Sequence, residues 1–171
     1  SIVSAYAPPF KIVAKYFIAA IVSFVLLNFL LLLNYSEIVG HHFNPKILSI
    51  NHVATLGWIT MIIFGAMFQL VPVVLETKLF SEKLAEIQFW IYLPGVIGLV
   101  YCFWVFDTGI NMTFSAVLLN LAMFIFSFNI IITMKSVKKW NVTAWYLEAA
   151  IFYLIVTAIA GLLLAINLWT P

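Results

Sequence analysis

The stretch Asn51-His52-Val53-Ala54-Thr55-Leu56-Gly57-Trp58, carried on through Gly65, Gln69 and Pro72, lies inside one apolar run from Lys46 to Leu75. The bilayer core is about 30 Å thick and about 20 helical residues cross it, so this run reads as a membrane-spanning helix with length to spare. It holds one histidine, near its start. At about 100° per residue, His52 shares a helical face with Leu56, Ile59, Ile63 and Leu70. A lone imidazole on such a face has two readings: it ligates a buried flat cofactor, or it is a structural histidine hydrogen-bonded to a neighbouring helix.

Composition sets the class around that helix. Apolar residues make up 65% of the 171-residue chain and charged residues 8%. A soluble domain carries about 25% charged residues, so this chain cannot cover itself with polar surface in water. The apolar runs are long and continuous rather than alternating, which selects helices over a β-barrel. The expected fold is all-α, a single domain built as an integral membrane bundle of five transmembrane helices. Cys102 is the one cysteine, which excludes an intrachain disulfide and a CxxC metal site. The chain starts at Ser1 without a Met, consistent with a piece of a longer protein, and its first apolar run reads as a span rather than a cleaved signal peptide.

The five spans are expected at about residues 12–33, 46–75, 87–106, 111–134 and 143–169. Asn44 followed by Pro45 predicts an N-cap and first turn for the second span. Pro72 predicts a kink in that helix, and Pro94-Gly95 a bend in the third. Ser81 with Glu82 and Lys83 is suited to start a helix ahead of the third span. Asp107-Thr108-Gly109 reads as a tight turn.

Five spans put Lys11, Lys15, Lys78, Lys83, Lys135, Lys138 and Lys139 at one side and only Lys46 at the other. This asymmetry predicts a cytoplasmic N-terminus and an outward C-terminus in the inner membrane. His41, His42, His52, Asp107 and Met112 then lie toward the outer face. The lysines serve topology, and no nucleic-acid face is indicated.

The pattern His52-x-x-x-Leu56-Gly57-Trp58, followed by Gly65-Ala66-Met67-Phe68-Gln69-Leu70-Val71-Pro72-Val73-Val74-Leu75, resembles the second helix of bacterial proteins related to heme–copper oxidase subunit I, including cbb3-type-like members. The matched motif covers about 25 residues. The resemblance implies a helix running from outside to inside, with His52 as an axial ligand of a low-spin heme b near the outer end. Oxidase subunit I has about twelve spans and takes its remaining heme and copper ligands from later helices. No histidine follows His52 here, so an oxygen-reducing dinuclear centre cannot be built from this chain alone, and no catalytic residue is assigned. A second axial ligand is sought in His41, His42, Met112 or another chain. A homodimer would supply His52 twice, because a twofold axis presents the same patch from both copies.

The remaining candidates have plain alternatives. His41 and His42 could bind copper or zinc together with His52, but adjacent surface histidines are read as solvated. Gly57 and Gly65 allow close approach of a flat ligand or of another helix. Asn28, Gln69, Asn120 and Asn129 are expected to hydrogen-bond between helices. Glu148 is read as interfacial rather than as part of a proton path. The sixteen phenylalanines and six tryptophans could flank a porphyrin or face lipid. Three functional classes follow: a b-type heme protein for electron transfer, gas or heme binding; a cofactor-free subunit or assembly partner of a respiratory complex; and a pore formed by oligomerisation. The last has no polar stripe to line it.

Overall fold

The structure is a computed structural model that describes residues 5–38, 40–41, 43–137 and 140–169. Every element among the described residues is helical. Five helices are long and apolar enough to cross a membrane: α1 (Phe10–Leu33), α2 (Pro45–Val74), α3 (Glu82–Val105), α4 (Ile110–Lys135) and α5 (Val142–Trp169). The chain is thus an all-α bundle of five membrane-length helices.

The local signals act where the sequence places them. Asn44 accepts a hydrogen bond from the Lys46 amide at 2.9 Å, and Pro45 opens α2, where its missing N–H costs nothing. Ser81 caps α3 by accepting from the Leu84 amide at 3.1 Å. That cap starts α3 five residues ahead of the apolar span expected from position 87, because a charged first turn is still good helix. Phe106 adopts a left-handed conformation (φ 53°), and Gly109 donates to Asp107 Oδ1 at 3.2 Å, which makes the short α3–α4 turn. The first loop is not wholly irregular, since Tyr35–Ile38 forms a single helical turn.

Pairing across the bundle shows an up-and-down order. The start of α1 meets the start of α3: Lys15 pairs with Glu86, and the Tyr16 hydroxyl donates to Ala85 O at 2.6 Å. Ser49, early in α2, donates to Val100 O, late in α3, at 2.8 Å. Asn129, late in α4, binds Ser81 at the head of α3. Lys11, Lys15, Lys78, Lys83 and Lys135 therefore collect at one end and Lys46 at the other; Lys138 and Lys139 lie outside the described residues.

The core is aromatic. Phe64, Phe68, Tyr92 and Phe126 are fully or nearly fully buried. Ring centroids of Phe64 and Phe126 lie 4.3 Å apart, and those of Phe64 and Tyr92 5.1 Å apart, edge to face. α4 is the most enclosed helix, with 56% of its most apolar stretch buried, whereas α1 and α5 have 17% each. Those two present most of their surface outward, as lipid-facing helices do. α5 rests almost wholly on α4.

The amides depart from expectation. Asn129 does bridge elements, but Asn28 is exposed and donates back to Phe24 O in its own helix at 2.7 Å. Asn120 likewise donates to Ala116 O in its own helix at 3.2 Å. Gln69 Oε1 is buried with no partner. An i−4 carbonyl is always within reach of a helical amide, whereas an interhelical partner needs a facing polar group.

Candidate functional site

α2 is not uniformly α-helical. Pro45–His52 is α, Val53–Thr60 is π, and Met61–Val74 is α again. A π stretch pairs i with i+5, and such stretches gather at functional sites. Side chains support this one. The Thr60 hydroxyl donates to Thr55 O at 2.7 Å, and the Tyr92 hydroxyl reaches Leu56 O at 3.1 Å.

His52 stands at the junction. Its Nδ1 lies 2.7 Å from Leu48 O. A carbonyl can only accept, so Nδ1 carries the proton and Nε2 keeps its lone pair. Nε2 has no hydrogen-bond partner among the described residues. Phe103 stacks on the ring at 4.4 Å between centroids and 25° between planes, which fixes its orientation.

The ring lines a groove of about 550 Å³ between four helices. α2 contributes His52, Leu56 and Thr60; α3 contributes Leu99 and Phe103; α4 contributes Asn120 and Met123; α5 contributes Thr157, Gly161 and Leu164. The walls are overwhelmingly apolar. A Cβ built at Gly161 meets nothing within 4 Å, so the α5 side stands well back.

The expected face of His52 is only partly kept. Leu56 joins it in the groove, but Ile59, Ile63 and Leu70 are 44%, 49% and 54% exposed. The wider π turn rotates everything after Val53 away from a simple α register. Gly57 lies on another side of α2. A Cβ there would come 3.0 Å from Ser23 Oγ of α1, so its smallness serves helix packing. Gly65 does the same against Tyr16. Met112 is fully buried in the core and is not part of the groove wall. His41 is exposed in the first loop, where its Nδ1 accepts from the Phe43 amide at 3.2 Å; His42 lies outside the described residues. Glu148 is exposed.

Two groove residues take a place the sequence does not assign them: Met123 is not singled out there, and Asn120 is read only as an interhelical amide. Met123 places a thioether on the wall where Met112 does not. Asn120 has its Oδ1 buried without a partner. Their i, i+3 spacing marks a shared face of α4, but only the position of α5 makes that face a groove wall.

At the same end of the bundle, Glu37 accepts from Asn44 Nδ2 at 2.6 Å and from Lys46 Nζ at 3.1 Å. Lys46 also stands 5.9 Å over the Trp104 ring. The Lys46 hydrogen bond, then that of Asn44, holds the Glu37 carboxyl below the usual glutamate range. Among the described residues no three His, Cys, Asp or Glu side chains gather as a metal site. Comparison with protein-family models, with curated proteins and with solved structures returns no match to this chain.

Proposed function

We propose that the chain is a membrane b-type heme-binding protein in which His52 Nε2 is an axial ligand. The observation that carries this reading is the Nδ1–H···O=C bond to Leu48, which leaves the ligating nitrogen bare toward a cofactor-sized groove. A heme-ligating histidine commonly needs this arrangement: one ring nitrogen donates to a carbonyl, which fixes the tautomer and raises the basicity of the other. The groove volume of about 550 Å³ falls within the range of about 300–1,000 Å³ typical of small-molecule and cofactor sites. When bound, the heme would supply a redox-active, ligand-binding iron. The chain supplies the rest: Leu48 holds the tautomer, Phe103 holds the ring plane, and the apolar walls exclude water.

The resemblance to heme–copper oxidase subunit I supports the same assignment. With no later histidine, the function is electron transfer or gas or heme binding rather than oxygen reduction. The lysine distribution supports a cytoplasmic N-terminus, which puts His52 toward the outer face of the inner membrane. Propionates pointing outward would then meet water and Lys46 instead of hydrocarbon.

The test is purification with heme supplied, followed by optical spectra of the native protein and of His52→Ala. A Soret band in the native protein that collapses in the variant is the expected result. Its absence from the native protein, or an unchanged spectrum in the variant, sinks the assignment. The variant should fold, because the hydrogen bond it loses lies within α2.

A second reading, a cofactor-free subunit or assembly partner of a respiratory membrane complex, is favoured by the outward faces of α1 and α5, each 17% buried. Such faces suit a neighbouring chain as well as lipid. A homodimer belongs with either reading.

A further inference from the structure

A second groove, of about 310 Å³, runs along another side of α2 and shares no lining residue with the groove at His52. Ser49, Val53 and Gly57 of α2 make its floor, α1 one wall and α3 the other. The floor is low because these residues are small. A Cβ at Gly57 would lie 3.0 Å from Ser23 Oγ of α1 and 3.8 Å from Val96 Cγ1 of α3, so the three helices converge at that point. The rim is open to the bilayer: Leu26 of α1 is 44% exposed and Ile97 of α3 is 60% exposed.

The α3 wall runs from Leu93, at the middle of that helix, to Trp104, near its end. That stretch of helix rises about 16 Å, close to the ~15 Å of hydrocarbon in one leaflet. Spread over that length, the volume gives a mean cross-section of about 20 Å². A helix with its side chains is about 10–12 Å across and cannot enter so narrow a slot, whereas a single extended hydrocarbon chain can. Left empty, the slot would deprive its walls of contact partners.

The mouth of the slot lies at the Lys46 end of the bundle. Trp104 and the exposed Tyr101 line it there, and Lys46 Nζ lies 5.9 Å from the Trp104 ring centroid. Indole and phenol side chains favour headgroup depth. The Lys46 ammonium has three protons, of which Glu37 Oε1 takes one at 3.1 Å. The other two have no side-chain acceptor among the described residues.

We propose that this groove is a binding site for one phospholipid of the leaflet at the Lys46 end. One acyl chain lies along α2 between α1 and α3, and the lipid phosphate meets the Lys46 ammonium beside Trp104. The site is independent of the heme reading.

The experiment uses the full chain, purified in detergent and stripped of lipid. Palmitoyl-oleoyl phosphatidylethanolamine, or the diacylglycerol with the same chains, is titrated in, and adducts are counted by native mass spectrometry. Leu26→Trp and Ile97→Trp fill the slot from its two walls at exposed positions. Ile18→Trp, at a 62% exposed position of α1 outside the groove, is the control. The native protein is expected to take up one phospholipid ahead of further, weaker ones. Each filling variant weakens that first step about tenfold, and Ile18→Trp leaves it unchanged. Lys46→Ala weakens the phospholipid and leaves the diacylglycerol as it was. An unaltered helical circular dichroism spectrum shows that each variant is folded. Equal first-lipid affinity in the native protein and both filling variants overturns the proposal. So does a native dimer that becomes monomeric in Leu26→Trp and Ile97→Trp, because a second copy then covers the groove. Phospholipid affinity untouched by Lys46→Ala overturns the phosphate contact.

Discussion

Asn129 on α4 grips Ser81 at both its backbone groups: Asn129 Oδ1 accepts from the Ser81 amide at 3.1 Å, and Asn129 Nδ2 donates to Ser81 O at 2.8 Å. Thr133, one turn on, accepts from the Phe80 amide at 3.0 Å. Two side chains of α4 thus hold the entry to α3, whose N-cap is Ser81 itself. Asn129→Leu leaves the Ser81 amide unpaired, and Ser81 O with only the Ala85 amide at 3.3 Å, next to a side-chain position that is fully buried. We expect a loss of about 1–3 kcal/mol of stability, measured by unfolding in mixed detergent micelles. No measurable loss would mean that water or a relaxed loop replaces the clamp.

Gly161 gives a way to fill the groove without straining the fold. A Cβ at this position meets nothing within 4 Å. Gly161→Leu should therefore keep or slightly raise thermal stability, since leucine is a better helix former by up to about 1 kcal/mol. The same variant should take up markedly less heme than the native protein. Undiminished uptake would place the cofactor elsewhere.

Gly95 is the opposite case. A Cβ there would lie 3.0 Å from Leu119 Cγ and 3.2 Å from the Leu119 backbone nitrogen. The backbone of α4 cannot step aside cheaply, so Gly95→Leu should cost about 1–3 kcal/mol by overpacking. The check is a lowered unfolding midpoint beside that of Gly161→Leu.

Much of this was legible in the sequence. Hydropathy located the five helices, and Asn44-Pro45, Ser81 and Asp107-Thr108-Gly109 marked starts and turns because each acts through its nearest neighbours. His52 stood out as the one ionisable group in its apolar run. The π stretch after it was hidden, since Val53–Thr60 has the same apolar character in either helical form. Asn120 looked like any helical amide. Its oxygen is buried with no donor of the described residues reaching it, and no local signal encodes which groups the fold brings near.

Glu37 should titrate with a sign set by its partners. Its carboxyl is held below the ordinary range, first by the Lys46 hydrogen bond. The contact is therefore fully present above the unfolded-state pKa of a glutamate. It is lost as pH falls through the lower folded value. Carbon-detected NMR of the Glu37 carboxyl should show a midpoint below that of a free glutamate, moving up in Lys46→Ala. An unmoved midpoint would show that the pair does not persist in solution.

Topology has its own check. With Cys102 replaced by alanine, single cysteines at Phe43 and Lys78 should label from opposite sides of the membrane, position 78 from the cytoplasm. Labelling of both from one side would contradict the up-and-down order, and position 43 labelling from the cytoplasm would reverse the assigned orientation.

The near-exclusive contact of α5 with α4 bears on biogenesis. Helices α1 to α4 are made first and can associate while α5 is still emerging, so the pocket around His52 begins life as an open flank facing lipid. A bulky, poorly water-soluble cofactor could then enter sideways from the bilayer, before the final wall is laid, with no portal required through the finished molecule.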